Sequence, residues 1–339
     1  MLRLNPNDKM DGMNIECAPE LTRYLRERGY LEANENPRIT VLAGGVSNRT
    51  VMVERAGGTA WVIKQALAKL RVASDWFSDP ERIQREALGL RYLSQLAPPG
   101  TVPGFVFEEA QFHLLAMEAV PQPHENWKTL LLRGEISSNA VEQFGRLLGL
   151  IHRQARTRRE ELEPIFRDCT VFESLRLEPY YAHSARQTPV AGSFLTGLIE
   201  ETRANRVTLV HGDFSPKNIL VRNEGLVLLD HEVIHWGDPA FDVGFSMTHF
   251  LSKAHHLSAH REKFVEAAHR LWKSYDDNSF EERAVRHTLA CVLARVDGRS
   301  PLEYLDANER RRQREAALRL MAAPPSGMDE LIKKFVSCL

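Results

Sequence analysis

A short strand-rich segment, residues 208–232, interrupts a C-terminal half that otherwise has the periodicity of helices. It reads HGDFSPKN over residues 211–218, continues through an apolar run, and ends in LDHE over residues 229–232. The turn sequence Asn-Glu-Gly at residues 223–225 divides the apolar run into two halves. Short apolar runs joined by a turn of this kind predict a β-hairpin. The segment therefore predicts one hairpin, with polar loops at its base, embedded among helices.

The N-terminal part of the chain is rich in predicted strands. Glycine pairs separate three apolar or alternating runs between Ile39 and Gln65, and tight turns of this kind join consecutive antiparallel strands. A helix predicted over residues 18–29 precedes these runs. A helical run over residues 82–97 and two more short strands over residues 105–120 follow them.

These patterns predict an α+β chain with two lobes. The first lobe covers residues 1–120, is built on an antiparallel sheet, and includes an N-terminal extension with a helix over residues 1–38. The second lobe covers residues 121–339 and is mainly helical, with its clearest amphipathic pattern over residues 137–155. A chain of 339 residues suits two such units, because chains longer than about 250–300 residues usually divide into domains with separate hydrophobic cores.

Charge and cysteine content narrow the classes of partner. The net charge is −1, so no overall field draws the chain to nucleic acid or to an acidic membrane. The four cysteines are scattered, which argues against a zinc site and a disulfide framework. The N-terminus lacks the apolar run of a signal peptide, and no stretch approaches the ~20 apolar residues of a membrane span. We expect a soluble, cytoplasmic protein, with monomer and homodimer both open.

The residue types of the strand-rich segment suit phosphoryl transfer. The spacing from His211 to Asp213 and Asn218 matches the catalytic loop of protein-kinase-like folds, and Asp230 follows where their metal-binding aspartate lies. One carboxylate must take the proton of the acceptor hydroxyl, and Asp213 is the candidate. An amide and a second carboxylate must hold Mg²⁺ against the phosphates, and Asn218 and Asp230 are the candidates. Capping aspartates in ordinary turns are the alternative for either motif alone.

Residues upstream are candidates for nucleotide binding. Lys64 ends an apolar run in the third predicted strand, the position of a lysine that contacts the α- and β-phosphates. Glu86, on the following helix, is placed to pair with it, although Glu81 lies on the same helix. Solvated surface residues are the alternative for both members of the pair. Backbone amides of the turn before the second strand could cover the phosphates, and the candidates there are Gly44, Gly45, Ser47 and Asn48.

The motifs HGDFSPKN and LLDHEVIHWGDPAFDVGF, with LAGGVSNRT upstream, resemble the aminoglycoside-phosphotransferase and choline-kinase-like superfamily. The glycine after His211 is typical of this branch, and so is the D-x-E form of Asp230 and Glu232, which methylthioribose kinases share. The resemblance covers residues 39–250 and implies a bilobal protein-kinase-like fold, with Mg²⁺ as cofactor and ATP or GTP as co-substrate. The chain departs from the family at the glycine turn, since no second glycine follows Asn48.

The resemblance assigns to the catalytic-loop residues the roles given above and adds two more. It implies that the backbone of Met117 to Ala119 lies against the nucleotide base. It also implies that Asp242 anchors the catalytic loop by accepting hydrogen bonds from its backbone. An ordinary aspartate at the start of a helix is the alternative for Asp242, and the two roles are compatible.

Lys217 is a second catalytic candidate. It directly precedes Asn218 and lies four residues after Asp213. A cation at this place can reach the γ-phosphate while charge spreads over its oxygens, which stabilises the transition state more than the ground state. A solvated loop lysine is the alternative.

Several polar groups in the second lobe have two interpretations each. Glu232 either ligates a metal through water or is solvated. The acidic residues between positions 276 and 282 are either exposed loop charge or a pocket for a cationic acceptor. Residues 295–299 either end a helix or line the acceptor site. Four histidines invite a metal site, but a solvated helix end is favoured because no carboxylate or cysteine has metal spacing near them: His249, His255, His256 and His260.

We predict a small-molecule kinase, with a protein kinase and an inactive kinase-like binding module as the alternatives. Asp230 is followed closely by a turn at Gly237 and a helix at Phe241, which leaves no room for the activation segment of a protein kinase. None of the four principal catalytic and binding residues is missing, which argues against an inactive module. The sequence leaves the acceptor open among antibiotics, amines, sugars, amino-acid metabolites and nucleosides, because a fold does not determine its substrate.

Overall fold

The computed structural model of the chain describes residues 13–43, 47–71, 76–223 and 225–339. Contacts within the chain divide it into two compact units. The first contains residues 1–87 and 104–119, and the second contains residues 88–103 and 120–339. The last change of unit falls between Ala119 and Val120, and residues 88–103 group with the second unit.

The first unit is built on an antiparallel sheet. Its elements are α1 (Ala18–Glu27), β1 (Arg38–Val41), β2 (Asn48–Glu54), β3 (Ala60–Ala66), the start of α2 (Arg82–Leu96), β4 (Phe105–Glu109) and β5 (Leu114–Glu118). The strand order is β1-β2-β3-β5-β4, and every neighbouring pair is antiparallel. The predictions of three consecutive strands followed by two short ones are confirmed.

Helix α1 packs on this sheet through one face. Leu21, Tyr24 and Leu25 recur at the spacing that places side chains on the same side of a helix, and all three are buried. They share a hydrophobic core with Val51 of β2 and Ile63 of β3, which alternate inward along their strands. The N-terminal extension therefore contributes to the core of the first unit.

The second unit is mainly helical, as predicted. Its helices after α2 are α3 (Trp127–Leu132), α4 (Ser138–Thr157), α5 (Arg159–Phe166), α6 (Thr170–Phe172), a π-helix (Glu173–Ala182), α7 (His183–Gln187), α8 (Gly192–Ala204), α9 (Pro239–His256), α10 (Arg261–Tyr275), α11 (Glu281–Asp297), α12 (Ala307–Ala322) and α13 (Met328–Ser337). Throughout the described ranges, no helix combines the length and the apolar character that crossing a bilayer requires.

The described part of the second unit also contains five short strands, and two of them are joined by the loop over residues 211–218. They are β6 (Glu125–Asn126), β7 (Thr208–Val210), β8 (Ile219–Arg222), β9 (Gly225–Leu228) and β10 (His235–Gly237). Strand β7 pairs with β10, and β8 pairs with both β6 and β9. Strands β8 and β9 form the predicted hairpin, although Glu224 of its turn lies outside the described residues. The loop from residue 211 to 218 is thereby held at both ends by paired strands.

Helix α9 is buried almost throughout its length. Every residue from Pro239 to His255 is buried, because α10, α11, α12 and α13 all pack against it. The prediction of a solvated helix end is therefore wrong for His249 and His255. The sequence identifies the buried face of a helix by its apolar stripe. A helix packed on all sides has no such stripe, so its buried polar residues look like surface residues in the sequence. The same burial encloses Lys253, which has no exposed surface.

Helices α4 and α10 approach each other closely at Gly149. A Cβ atom at this position would collide with the carbonyl oxygen of Tyr275, and a backbone oxygen inside packed helices cannot move aside easily. We expect Gly149→Ala to lower the free energy of unfolding by about 1–3 kcal/mol, measured by urea denaturation.

Gly197→Ala in α8 is the matched control for this prediction. No atom lies within 4 Å of the place that a Cβ would take at Gly197. Alanine favours the helix more than glycine, so we expect this control to gain up to about 1 kcal/mol. A loss of the same size in both variants would show that the close approach at Gly149 does not limit stability.

Candidate active site

One buried carboxylate anchors the loop between β7 and β8. Asp242, in the first turn of α9, accepts hydrogen bonds from the backbone N–H groups of His211 (2.7 Å) and Gly212 (2.8 Å). His152 lies 3.2 Å from the same carboxylate and 2.7 Å from the hydroxyl of Tyr275. Burial alone would raise the pKa of Asp242, but the interactions with His152 and His211 outweigh it and lower the pKa. The predicted anchoring contacts are present.

Gly212 has the backbone conformation that the loop adopts beside Asp242. Its φ is +76°, in the left-handed region that glycine adopts at little cost. A Cβ here would lie 2.7 Å from Cγ1 of Val233 and 3.0 Å from its carbonyl oxygen. The glycine after His211, noted in the sequence as typical of this branch, is therefore required by both conformation and packing.

The two carboxylate oxygens of Asp213 have different surroundings. Oδ2 accepts a hydrogen bond from Nδ2 of Asn218 (2.8 Å) and pairs with Arg176 (3.0 Å) and Lys217 (3.2 Å). Oδ1 is buried and has no hydrogen-bond partner in the part of the chain that the structure describes. A buried oxygen without a donor is unfavourable. A bound hydroxyl that donates to Oδ1 would remove this deficit.

The neighbouring cations keep Asp213 ionised. Burial alone would raise its pKa, but Arg176 and Lys217 outweigh burial and hold the pKa below its ordinary value of 3.8. Asp213 in turn raises the pKa of Lys217. A carboxylate with a low pKa is a weak base, so it can orient a hydroxyl strongly while accepting the proton only late. Phosphoryl transfer through a loose transition state needs orientation more than early deprotonation.

Arg176 is the residue of this loop environment that the sequence analysis missed. It lies in the π-helix, is buried, and donates from Nε to the carbonyl oxygen of Gly212 (2.7 Å) as well as pairing with Asp213. Its sequence signal is a charged residue between Leu175 and Leu177, where a surface arginine would be out of place. Nothing in the local sequence indicates that it lies against residue 213.

Asp230 and Glu232 present oxygens suited to a metal ion after β9. Their carboxylates offer oxygen atoms within 4.8 Å of each other. Asp230 has a φ of +66°, a conformation that is uncommon outside glycine and that concentrates at functional sites. Asn218 donates from Nδ2 to the carbonyl oxygen of Asp213 (2.9 Å) and to its Oδ2, so its amide oxygen is turned to the other side. Asp230, Glu232 and Asn218 thus supply the hard oxygen donors that Mg²⁺ prefers.

Lys217 extends from the same loop with 46% of its side chain exposed. Its ammonium group is held by Asp213, and its backbone carbonyl accepts a hydrogen bond from Nδ2 of Asn126 (2.7 Å). The loop is therefore fixed on both sides of the lysine. The contact of Lys217 with a γ-phosphate stays a prediction.

In the first unit, Lys64 and Glu86 form an ion pair. Nζ of Lys64 lies 2.5 Å from Oε1 of Glu86, and the side chains are 13% and 0% exposed. Strand β3 carries the lysine and the second turn of α2 carries the glutamate. Glu81 is exposed, so the predicted alternative partner does not take its place. Separating the two side chains would leave a buried charge without its partner, which is strongly unfavourable. The ion pair therefore holds both side chains in position.

The glycine turn is only partly described. Gly44 and Gly45 lie outside the described residues, whereas Ser47 and Asn48, at the start of β2, are buried. Asn48 donates from Nδ2 to the hydroxyl of Ser47 (3.2 Å). The guanidinium group of Arg82, also buried, donates to the carbonyl oxygen of Ser47. Arg82 therefore fixes the end of the turn, a role that the sequence analysis did not foresee.

The sheet limits how residues 117–119 can meet a nucleotide base. Met117 is buried in β5 and pairs with Val62 across the sheet. The backbone N–H of Ala119 donates to the carbonyl oxygen of Ala60 (2.9 Å). A contact of Ala119 with a base must therefore use its carbonyl oxygen, because the sheet already uses its amide.

Comparison with known sequences finds related kinases. The sequence model of the phosphotransferase enzyme family matches residues 38–256. Methylthioribose kinase of Yersinia enterocolitica is 24% identical over 313 residues, which cover 80% of this chain and 78% of that one. Methylthioribose kinase of Yersinia pseudotuberculosis is 24% identical over 262 residues, 69% of this chain and 64% of that one. The chain thus spans less than two thirds of the second relative.

Solved structures share the fold at low identity. Amicoumacin kinase hAmiN, solved with AMP-PNP, Ca²⁺ and Ami, has a TM-score of 0.58 at 15% identity and covers 90% of this chain and 94% of its own. Choline kinase LicA from Streptococcus pneumoniae has a TM-score of 0.54 at 15% identity, with 89% and 99% covered. The GDP complex of aminoglycoside 2'-phosphotransferase-IIIa has a TM-score of 0.53 at 11% identity, with 95% and 99% covered. The predicted α+β, protein-kinase-like fold class is confirmed.

We expect Asp242→Asn to lower the free energy of unfolding by about 2–4 kcal/mol near neutral pH. An amide accepts one of the two backbone hydrogen bonds and sets its own N–H groups against the other donor, which leaves a buried N–H unsatisfied. Urea denaturation followed by circular dichroism measures the loss. Asp329→Asn, at an exposed carboxylate on α13, is the control and should change stability by less than about 0.5 kcal/mol.

The loss should also depend on pH. The folded protein lowers the pKa of Asp242 below 3.8, so the carboxylate stabilises the fold above that pH and loses this effect as the pH falls through the lower folded value. The difference between wild type and Asp242→Asn should therefore shrink below about pH 4. A difference that stays constant down to the acid transition would contradict the charged anchor.

Proposed function

The chain belongs to the phosphotransferase enzyme family, and we propose that it transfers the γ-phosphoryl group of ATP or GTP to a hydroxyl group of a small molecule. The family match includes all the predicted site residues, from Gly44 to Asp230. The related methylthioribose kinases, and the choline and amicoumacin kinases of like fold, are named for small acceptors.

The unpartnered oxygen of Asp213 is the observation that carries the proposal. Three cationic or amide groups, from Arg176, Lys217 and Asn218, hold Oδ2 and leave Oδ1 for another donor. The acceptor hydroxyl donates its hydrogen bond to Oδ1, which aims the hydroxyl oxygen at the phosphorus atom. As the new O–P bond forms and the bond to the leaving nucleoside diphosphate breaks, the hydroxyl proton passes to Oδ1.

The proposal assigns the metal to residues of the second unit. Asn218 and Asp230 would hold Mg²⁺ through their side-chain oxygens, and Glu232 is close enough to Asp230 to add a direct or water-mediated ligand. Bound Mg²⁺ supplies charge that neutralises the phosphate oxygens. Lys217, held beside Asp213, adds positive charge where the γ-phosphoryl group passes.

The proposal assigns the nucleotide to residues of the first unit. Lys64, positioned by Glu86, contacts the α- and β-phosphates. Backbone amides of the turn that ends at Ser47 and Asn48 cover the phosphates, supported by the bond from Arg82. The carbonyl oxygen of Ala119 is the group of residues 117–119 that remains suited to the nucleotide base.

The short connection after Asp230 favours a small acceptor over a protein. Residues 231–238 lead directly into α9, and three of them form β10. A protein kinase needs a longer segment here to bind its peptide substrate. Screening a panel of metabolites and antibiotics with radiolabelled ATP and GTP tests the proposed function, and labelling of a protein but of no small molecule would contradict it.

We expect Asp213→Asn to lower kcat by roughly 10²–10⁴ while nucleotide affinity stays nearly unchanged. An amide cannot take the hydroxyl proton, but it keeps the size of the side chain. Steady-state kinetics on the identified acceptor and calorimetric titration of the nucleotide measure the two effects. The exposed Asp329→Asn variant should turn over normally, and near-normal turnover of Asp213→Asn would remove this residue as the base.

We expect Asp230→Ala to abolish the enhancement of nucleotide binding by Mg²⁺. Mg²⁺ keeps few protein ligands and bridges to phosphate, so removal of one carboxylate disrupts its site. Calorimetric titration of ATP with and without Mg²⁺ compares the variant with the wild type. The two proteins should bind ATP equally in the absence of Mg²⁺, and an equal enhancement in both would show that Asp230 is not a ligand.

A further inference from the structure

A buried cationic cluster lies within the second unit. Arg295, near the end of α11, is 6% exposed, and Lys253 of α9 has no exposed surface. His249 lies one turn before Lys253 on α9 and is 5% exposed. We call these three residues the cationic subsite. Considering residues 13–43, 47–71, 76–223 and 225–339, no carboxylate lies within ion-pair distance of Arg295 or Lys253.

Arg295 is only partly satisfied by its neighbours. Its Nη1 donates to the carbonyl oxygen of Ser300 (2.9 Å), and its Nη2 lies 3.4 Å from Nε2 of His249. Because arginine only donates, Nε2 must be the acceptor, which requires a neutral imidazole. Burial and the charge of Arg295 lower the pKa of His249 well below its ordinary value, in agreement with that requirement. Nε of Arg295 is buried and has no partner among the described residues.

Lys253 lies close enough to Arg295 for the two charges to interact. Its ammonium group lies 3.4 Å from the carbonyl oxygen of His249 and 5.4 Å from the ring centre of Tyr304. Burial, together with the charges of Lys128 and Arg295, lowers the pKa of Lys253 to about 7, and Glu303 only partly opposes the shift. Glu303 itself pairs with Lys128. The amine is therefore held where a nearby anion would restore its proton.

Two aromatic rings connect the cationic subsite to the catalytic loop. The guanidinium carbon of Arg295 lies 5.2 Å from the ring centre of Tyr180 and 5.3 Å from that of Phe245. The guanidinium carbon of Arg176 lies 5.7 Å and 5.6 Å from the same two rings. Arg176 also pairs with Asp213. Both arginines thus contact the same two rings, and the carboxylate of Asp213 lies beside Arg176.

The other charges near the end of α11 are already neutralised. Asp297 accepts hydrogen bonds from Arg314 (2.8 Å) and from the hydroxyl of Thr188 (2.6 Å). Arg299 pairs with Glu178 (3.3 Å). Of the three charged residues between positions 295 and 299, Arg295 is the one with no ion pair to another described residue.

Two of the four acidic residues between positions 276 and 282 already have partners within the chain. Asp277 pairs with Arg156 (2.7 Å) and accepts a hydrogen bond from the backbone N–H of Ser279 (3.0 Å). Glu281 accepts a hydrogen bond from the backbone N–H of Met328 (2.7 Å). Asp277 thus joins α4 to the loop after α10, and Glu281 joins α11 to the start of α13.

We propose that the cationic subsite binds a carboxylate or phosphate group of the acceptor, so that the enzyme phosphorylates an anionic hydroxyl compound. A buried arginine without a counter-ion is unfavourable, and a ligand anion supplies the counter-ion. The planar guanidinium group of Arg295 can bind a carboxylate or phosphate through paired hydrogen bonds, while the nearby Lys253, once protonated, strengthens the attraction. The inference rests on the proposed function, because it assigns a charge to the molecule that this function phosphorylates.

Calorimetric titration with four hydroxyl compounds tests the proposal on the full-length protein. D-Glycerate and glycerol 3-phosphate carry the two kinds of anion, glycerol is the neutral counterpart, and choline is the cationic one. We expect at least one anion to bind at least about tenfold more tightly than glycerol and choline, and the better anion identifies the group. Equal or tighter binding of glycerol or choline, or binding of neither anion, would overturn the proposal.

Arg295→Gln should weaken binding of the preferred anion by at least about tenfold, because the amide keeps hydrogen bonds but not the charge. The matched control is Arg319→Gln, at an exposed arginine of α12, and it should bind within about twofold of the wild type. Equal weakening in both variants, or none in Arg295→Gln, would contradict an anion site at Arg295.

Lys253→Met keeps the assignment testable if Arg295→Gln does not fold. We expect weaker anion binding and an unchanged or higher Tm, because methionine fills the same space without a buried charge. A lower Tm with unchanged anion binding would make Lys253 a structural residue and contradict its place in the subsite. At about pH 8, anion binding by the wild type should take up protons as the pKa of Lys253 rises, and this uptake should vanish in the variant.

Two controls separate this inference from the proposed function. Phosphoryl transfer to a neutral or cationic acceptor, without anion binding, would contradict the anionic acceptor but agree with the proposed kinase activity. The protein could instead bind anions in a way that depends on Arg295, yet neither bind Mg²⁺ and ATP together nor transfer phosphate. That result would contradict the kinase activity but agree with the anion site.

Discussion

The hydrogen bonds from the backbone of His211 and Gly212 to Asp242 are the interaction on which the catalytic loop depends. They connect a loop, whose regular structure is a short 3₁₀ turn at Pro216–Asn218, to the first turn of a helix that is packed on all sides. His152 contacts the carboxylate at Oδ2, the oxygen that also accepts the backbone N–H of His211. Because the carboxylate accepts both amides at once, a change in its charge or position would move the residue that follows, Asp213.

The surroundings of Asp213 show how one carboxylate can be buried, ionised and still available. Arg176 and Lys217 offset the unfavourable effect of burial, and together with Asn218 they occupy only one of the two oxygens. The second oxygen keeps its capacity to accept a hydrogen bond. Arrangements of this kind are preorganised, since no group has to move when charge develops in the transition state. The buried charge of Arg295, which forms no ion pair within the described part of the chain, fits the same principle, because a binding site can keep a group that is unfavourable until the ligand arrives.

The parts of the site that could be predicted are close together in the sequence. Asp213 and Asn218 belong to one loop, and Asp230 follows after a single hairpin, so local spacing was sufficient to bring them together. The pair of Lys64 and Glu86 followed from the order of one strand and one helix. Arg176 and Arg82 could not be predicted in this way. Each reaches its partner from a segment without a motif of its own, and only packing brings the two segments together.

The histidines of α9 also show that burial by distant segments cannot be predicted from local sequence. His249 and His255 have the polarity of surface residues, yet the helices around α9 bury both. Likewise, residues 295–299 contain three charges that are equivalent in the sequence, and the structure forms ion pairs for Asp297 and Arg299 but, among the described residues, none for Arg295. The sequence alone determined the elements, the spacing of the catalytic loop and the reaction class, because these depend on local periodicity and on residue type. Only the tertiary structure decided which oxygen of Asp213 is available and which of these cations forms no ion pair with another described residue. Those properties depend on burial and on partners that distant segments supply, and no local pattern records either.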